Sequence, residues 1–214
     1  MIEKHFENLN KNGHLDLGNS NLTNDFFDSD DELLKIMYTS KNLFLNDNKI
    51  TKLDLSKFTN LVVLDIGTNP LKDLINIPNT LEELTCNDCE IESLPSLQNL
   101  KHLICNNNKI NKLEYYENIE SIDCSNNNIN CINYSYPKLR KLSCSDNPII
   151  KFCLLPNLQS LDCINTNIYD IPYFPKLKNL SISNTTNIML PDVYKIISCI
   201  QTDNIIDIFF EQKN

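Results

Sequence analysis

Apolar residues recur along this chain with a spacing of 19 to 21 residues, and each period carries the same phrase: apolar-x-apolar-x-x-Asn-x-apolar. The leading position runs Leu43, Leu64, Leu84, Leu103, Ile122, Leu142, Leu161, Leu180, and the position two residues on runs Leu45, Ile66, Cys86, Cys105, Cys124, Cys144, Cys163, Ile182. Alternate residues of a strand point the same way, so both columns face one core. Next comes a polar column, Asn48, Asn69, Cys89, Asn108, Asn127, Asn147, Thr166, Thr185. Its amides are suited to donate to and accept from backbone groups where the chain leaves the strand, with Cys or Thr as smaller substitutes. Ile50, Leu71, Ile91, Ile110, Ile129, Ile149 and Ile168 close each period, and Ile188 arrives one place late, so stacking is expected to fade there. A fixed period of this length predicts a stack of coils.

The flanks depart from the period. His14-Leu15-Asp16-Leu17, with Ser20 and Leu22, reads as a degenerate first copy. Ser29-Asp30-Asp31-Glu32 offers a capping box ahead of Leu33, Leu34, Ile36 and Met37, which predicts a short helix over about residues 30–38 covering the open N-terminal end. Leu190-Pro191-Asp192 precedes Val193, Ile196, Ile197 and Ile200 at helical spacing. Asn204–Phe210 reads as a short strand or a second apolar strip. The organisation expected is a solenoid of about nine repeats over 1–190, with a helical insertion near 29–38, and a C-terminal helical cap over 191–214. Left uncovered, Phe209 and Phe210 would instead make that last segment a docking site.

The phrase resembles the repeat of leucine-rich repeat proteins, L-x-x-L-x-L-x-x-N/C-x-L. The resemblance covers about residues 12–190, and its spacings match the short-repeat members. It implies an α/β-type solenoid: a horseshoe with a parallel concave β-sheet, a mostly extended or 3₁₀ convex side, and short helices near both ends. Proline in Tyr136-Pro137-Lys138-Leu139, Leu155-Pro156-Asn157-Leu158 and Phe174-Pro175-Lys176-Leu177 opposes helix on the convex side. In its asparagine and isoleucine content the chain is similar to repeat proteins of giant amoebal viruses and protists.

Charge and composition narrow the partners. The formal net charge of the 214 residues is -9, which disfavours nucleic acid. No apolar run approaches the roughly 18 residues of a membrane span, and MIEKHFENLNKN lacks the apolar core of a secretory signal. Asparagine is about one residue in six, but it falls at a fixed phase, which favours order over low complexity. Nine cysteines, an odd number and mostly in phase, read as reduced core thiols of a cytoplasmic, monomeric protein.

No catalytic constellation emerges. Cys86, Cys105, Cys124, Cys144 and Cys163 form one column, in which cysteine serves as a small apolar side chain. A zinc site would start from Cys86-Asn-Asp-Cys89 with Cys105, but a second CxxC is lacking. His14 and His102 lie four coils apart and cannot share a site. Glycine-rich phosphate loops, HExxH and G-x-S-x-G are absent. The expectation is a protein that is not an enzyme and holds no metal or cofactor.

The outward positions remain. The residues between the two core columns are Asp65, Thr85, Ile104, Asp123, Ser143, Asp162 and Ser181; three positions on lie Asp47, Thr68, Asp88, Asn107, Asn126, Asp146, Asn165 and Asn184; Glu83 and His102 precede the core leucine. This short-chained, acidic face is the expected binding surface for a protein partner with a basic or polar segment, since concave faces are where solenoids bind. Its residues are Asp65, Glu83, Thr85, Asp88, His102, Ile104, Asn107, Asp123, Asn126, Ser143, Asp146 and Asp162. The competing expectation is a structural component of a larger assembly.

Overall fold

Each apolar-x-apolar phrase forms a strand in the computed structural model, which describes residues 13–29, 32–183, 188–192, 194, 196–201 and 205–210. The strands are β1 (His14–Asp16), β2 (Asn42–Phe44), β3 (Val63–Asp65), β4 (Glu83–Thr85), β5 (His102–Ile104), β6 (Ser121–Asp123), β7 (Lys141–Ser143), β8 (Ser160–Asp162) and β9 (Asn179–Ser183). All nine are parallel and neighbour one another in chain order. Their register places Leu15, Leu43, Leu64, Leu84, Leu103, Ile122, Leu142, Leu161 and Leu180 side by side. The second core column extends the ladder: Leu45, Cys86 and Cys163 N–H groups donate to the carbonyls of Asp65, Ile104 and Ser181 at 2.7, 2.8 and 3.0 Å. The sheet is therefore short along the chain and long across it.

Where each coil leaves the sheet, a buried amide joins it to the coil before. Asn127 Nδ2 donates to Cys105 O and Cys124 O at 3.0 Å each, and its Oδ1 accepts the Ile110 N–H at 2.9 Å. Asn48, Asn69, Asn108 and Asn147 repeat the pattern, each reaching back one coil. At Cys89 the thiol donates weakly to Ile66 O at 3.6 Å, and at Thr166 the hydroxyl donates to Cys163 O at 2.9 Å. Thr185, the last member of the column, lies outside the described residues.

The returning limbs are extended, as expected, with single turns. Leu139, Leu158 and Leu177 N–H groups donate to the carbonyls of Tyr136, Leu155 and Phe174, three residues earlier, at 3.1–3.3 Å. Pro137, Pro156 and Pro175 occupy the second position of those turns, where a fixed φ fits. The flanking Tyr136, Leu139, Leu155, Leu158 and Phe174 are fully buried and fill the width between limb and sheet. Two short parallel ladders, Lys52–Asp54 with Asp73–Ile75 and Cys131–Ile132 with Lys151–Phe152, stiffen this side.

Both ends differ from expectation in part. Two helices, α1 (Asn24–Phe27) and α2 (Glu32–Met37), occupy the segment between β1 and β2. Because β1 pairs with β2, they are the return limb of the first coil rather than a lid over the sheet's end. Leu34 and Met37 join the core, while Asp30 and Asp31 of the capping box lie outside the described residues. The helix expected after Leu190 is instead a hairpin, β10 (Ile196–Gln201) and β11 (Ile205–Phe210). β11 runs antiparallel to β9, with Leu180 opposite Ile208. Isoleucine and phenylalanine suit a strand, and the open edge of β9 rewards one with backbone hydrogen bonds that a helix could not make. Val193 lies outside the described residues.

Asn127→Ala tests the buried amides. It strands the Ile110 N–H, at a cost of about 1–3 kcal/mol for a buried group left without a partner, and leaves Cys105 O and Cys124 O with the Asn108 and Asn147 amides as donors. The expected outcome is a loss of about 2 kcal/mol in urea unfolding. A change below about 0.5 kcal/mol, the range of neutral surface substitutions, contradicts the assignment.

Candidate functional site

The strands place six of the expected residues in one row: Asp65, Thr85, Ile104, Asp123, Ser143 and Asp162 stand opposite one another across β3–β8. Glu83 and His102 are neighbours in the adjoining row. Among these, Ile104 is the large apolar side chain left open, at 42% exposure. The aspartates are oriented by the backbone: Asp65 Oδ1 accepts the Gly67 N–H at 3.0 Å and Asp123 Oδ1 the Ser125 N–H at 3.1 Å. Asp16 does the same with Gly18, and Asp162 Oδ1 accepts from the Ser145 hydroxyl at 2.6 Å. Burial pushes the Asp65 carboxyl above its usual range, Asp47 and Asp16 add to this, and the Gly67 hydrogen bond opposes it. Asp-x-Gly and Asp-x-Ser at 16–18, 65–67 and 123–125 are the sequence sign of this turn.

The remaining expected residues form a different feature. Asp88, Asn107, Asn126 and Asp146, with Asp47, Thr68 and Asn165, all have φ between 52° and 56°. That left-handed conformation favours Asn and Asp, so the backbone selects these residue types. Their side chains bond along the column: Asn107 Nδ2 to Asp88 Oδ1 at 2.7 Å, Asn126 Nδ2 to Asn107 Oδ1 at 2.8 Å, and Asn165 Nδ2 to Asp146 Oδ1 at 2.9 Å. They make a hydrogen-bonded rim where the chain turns off the sheet. Asn184 lies outside the described residues. His14 packs its ring against Phe44, 4.8 Å between centroids, and His102 stands four strands away.

No protein-family model matches the sequence, and no curated protein matches it. Solved structures do. A leucine-rich repeat protein of Leptospira interrogans superposes with a TM-score of 0.61 at 21% identity, over 76% of this chain and 47% of that one. An internalin of Listeria monocytogenes gives 0.58 at 20% identity, over 88% and 64%. The chain has the leucine-rich repeat fold. YopM of Yersinia enterocolitica gives 0.54 at 22% identity, over 73% of this chain and 39% of that one. The chain thus spans less than two thirds of the length of these neighbours.

Within this leucine-rich repeat core the thiols are packing groups. All nine cysteines are free, and Cys86, Cys105, Cys124, Cys144 and Cys163 are buried. Cys144 Sγ donates to Asp162 O at 3.3 Å and Cys124 Sγ to Ser143 O at 3.5 Å. Cys86 faces the core while Cys89 belongs to the amide column, and among the described residues no three ligands converge as a metal site would require. Nor, among the described residues, is any helix long and apolar enough to cross a membrane.

A second surface was not anticipated from the sequence. Most of the exposed large apolar side chains lie on the return limbs, away from the sheet: Leu154 is 64% exposed, Tyr169 69% and Met189 66%, with Tyr115, Ile150 and Tyr173 also open. Tyr115, Tyr134, Leu154 and Tyr173 share one phase of four successive coils, thirteen residues after each strand begins. The shared phase, like that of the core columns, is visible in the sequence.

The thiol column sets an alkaline limit. Burial pushes the Cys163 thiol up to about 12 and holds Cys86, Cys105, Cys124 and Cys144 well above the ordinary thiol range. Below about pH 8.5 the thiols are neutral whether folded or unfolded, and their contribution is intact. Above it the unfolded chain ionises and the folded chain does not, so stability falls with pH by up to about 1.4 kcal/mol per unit for each thiol. Unfolding free energies from urea titrations at pH 7 to 10.5 should be flat at first and drop steeply above about pH 9. A flat profile through pH 10.5 contradicts thiol burial.

Proposed function

We propose that this chain is a non-catalytic protein-interaction module, an adaptor that takes a basic or polar protein segment across its concave sheet. The observation that carries this reading is the Asp65–Asp162 row. Asp65, Asp123 and Asp162 each have one oxygen committed to a turn or a hydroxyl, which aims the carboxylate, and no cation shares the row. At strand spacing the three lie roughly 14 and 10 Å apart, a reach that an extended peptide spans. Surface carboxylates in such an arrangement steer and orient a cationic partner more than they add affinity. The free, buried thiols support a reducing, intracellular setting. The net charge of -9 supports a protein partner over nucleic acid.

Copurification from the native host would supply the partner. The Asp65→Asn/Asp123→Asn/Asp162→Asn variant is then expected to fold normally and to bind about tenfold or more weakly, with a shallower salt dependence. Full affinity in a normally folded variant places the partner elsewhere.

The exposed residues of the return limbs favour a second reading, a structural unit of a larger assembly, because apolar patches of this kind mark protein contacts. Sedimentation velocity separates the two. An interaction module is a monomer at about 50 µM, below the range where weak apolar self-contacts form. Association that Leu154→Glu/Tyr169→Glu abolishes supports the assembly reading.

A further inference from the structure

We propose that the lateral edge around Arg140 is a second binding surface, built for an acidic protein segment and independent of the concave row. Arg140 is the only arginine in the chain. It lies just before β7, with Lys138 two residues earlier. One coil on, the same two positions hold Asn157 and Gln159, and one coil further Lys176 and Lys178. The edge therefore carries two parallel rows, each cation–amide–cation. Backbone bonds hold the rows in step: Gln159 N–H donates to Arg140 O and Lys178 N–H to Gln159 O, both at 2.8 Å. Lys138, Arg140, Asn157, Gln159 and Lys176 line an open groove of about 320 Å³, and Glu120 at one end is its one carboxylate.

Lys72–Glu90, Lys101–Glu82, Lys109–Glu90 and Lys112–Glu114 are ion pairs of the coils before β6. Beyond it two cations of the strip have neutral partners: Lys138 Nζ donates to Asn118 Oδ1 and Lys176 Nζ to Asn157 Oδ1, each at 2.5 Å. The strip thus sets four cations, Lys138, Arg140, Lys176 and Lys178, against one carboxylate, Glu120, in a chain of net charge -9. Carboxylates fit it well. The guanidinium offers a two-pronged contact, the amides add donors, and cations two coils apart stand roughly 10 Å from each other. A long polyanion such as nucleic acid would run on past the strip into the acidic remainder of the surface and be repelled. A short acidic stretch of protein would not.

The probe is a fluorescein-labelled peptide of twelve glutamates, followed by anisotropy against the full chain at about 30 mM and about 300 mM salt. Saturable binding is expected at the lower salt and its loss at the higher. Arg140→Gln/Lys176→Gln should weaken it about tenfold, whereas Lys49→Gln/Lys52→Gln, which removes equal charge from exposed positions in another coil, should change it less than about twofold. Both pairs are exposed, and circular dichroism verifies that the variants fold. A twelve-nucleotide thymidine strand should bind more weakly than the peptide. Absence of saturable peptide binding, equal weakening by the two pairs, or tighter binding of the oligonucleotide overturns the proposal.

Discussion

The structure depends on the inward amide that closes most of its coils. Apolar columns such as Leu103, Ile122 and Leu142 create the driving force for stacking, but burial is indifferent to register. The turn that leaves the strand also buries an N–H and several carbonyls that no neighbouring strand can satisfy. Asn127 reaches groups in two coils at once, so it both relieves that burden and locks the phase between the coils. With an unmet buried group worth about 1–3 kcal/mol, a handful of such amides decides whether the stack is unique or slips. Cys89 and Thr166 show that the position tolerates weaker chemistry where neighbouring coils hold the register.

Much of this was legible in the sequence because the repeat averages out local ambiguity. Three residues of strand are too few to recognise alone; nine copies in phase are not. The amide column, the thiol column and the extended convex side all followed from phase and residue type. What escaped was what phase does not carry. The column from Asp47 to Asn165 looked like a ligand face, yet a left-handed backbone explains its residue types. The aspartates at 65 and 123 are turn-formers as well as surface charges, and the turn signal sits in the next two residues. The C-terminal segment reads as a helix because Ile196, Ile197 and Ile200 satisfy helical spacing, while the deciding influence, the open edge of β9, is remote in sequence.

The surfaces divide by chemistry as cleanly as the core does. The concave row is acidic, the return limbs of the later coils are apolar, and the edge before β7–β9 is cationic. Since a solenoid repeats its backbone but not its outward residues, adjacent faces are free to diverge while one core serves them all. Three partners with different chemistry would fit one such frame without competing for it.

The amides also have a direction. Asn48, Asn69, Asn108, Asn127 and Asn147 each serve the coil that precedes them, never the one that follows. A coil is therefore finished by its successor. In a growing chain the most recent turn is the one still short of hydrogen bonds. Loss of a late coil deprives its predecessor of a donor and an acceptor, whereas loss of an early one leaves its successor's amide bonded within its own turn.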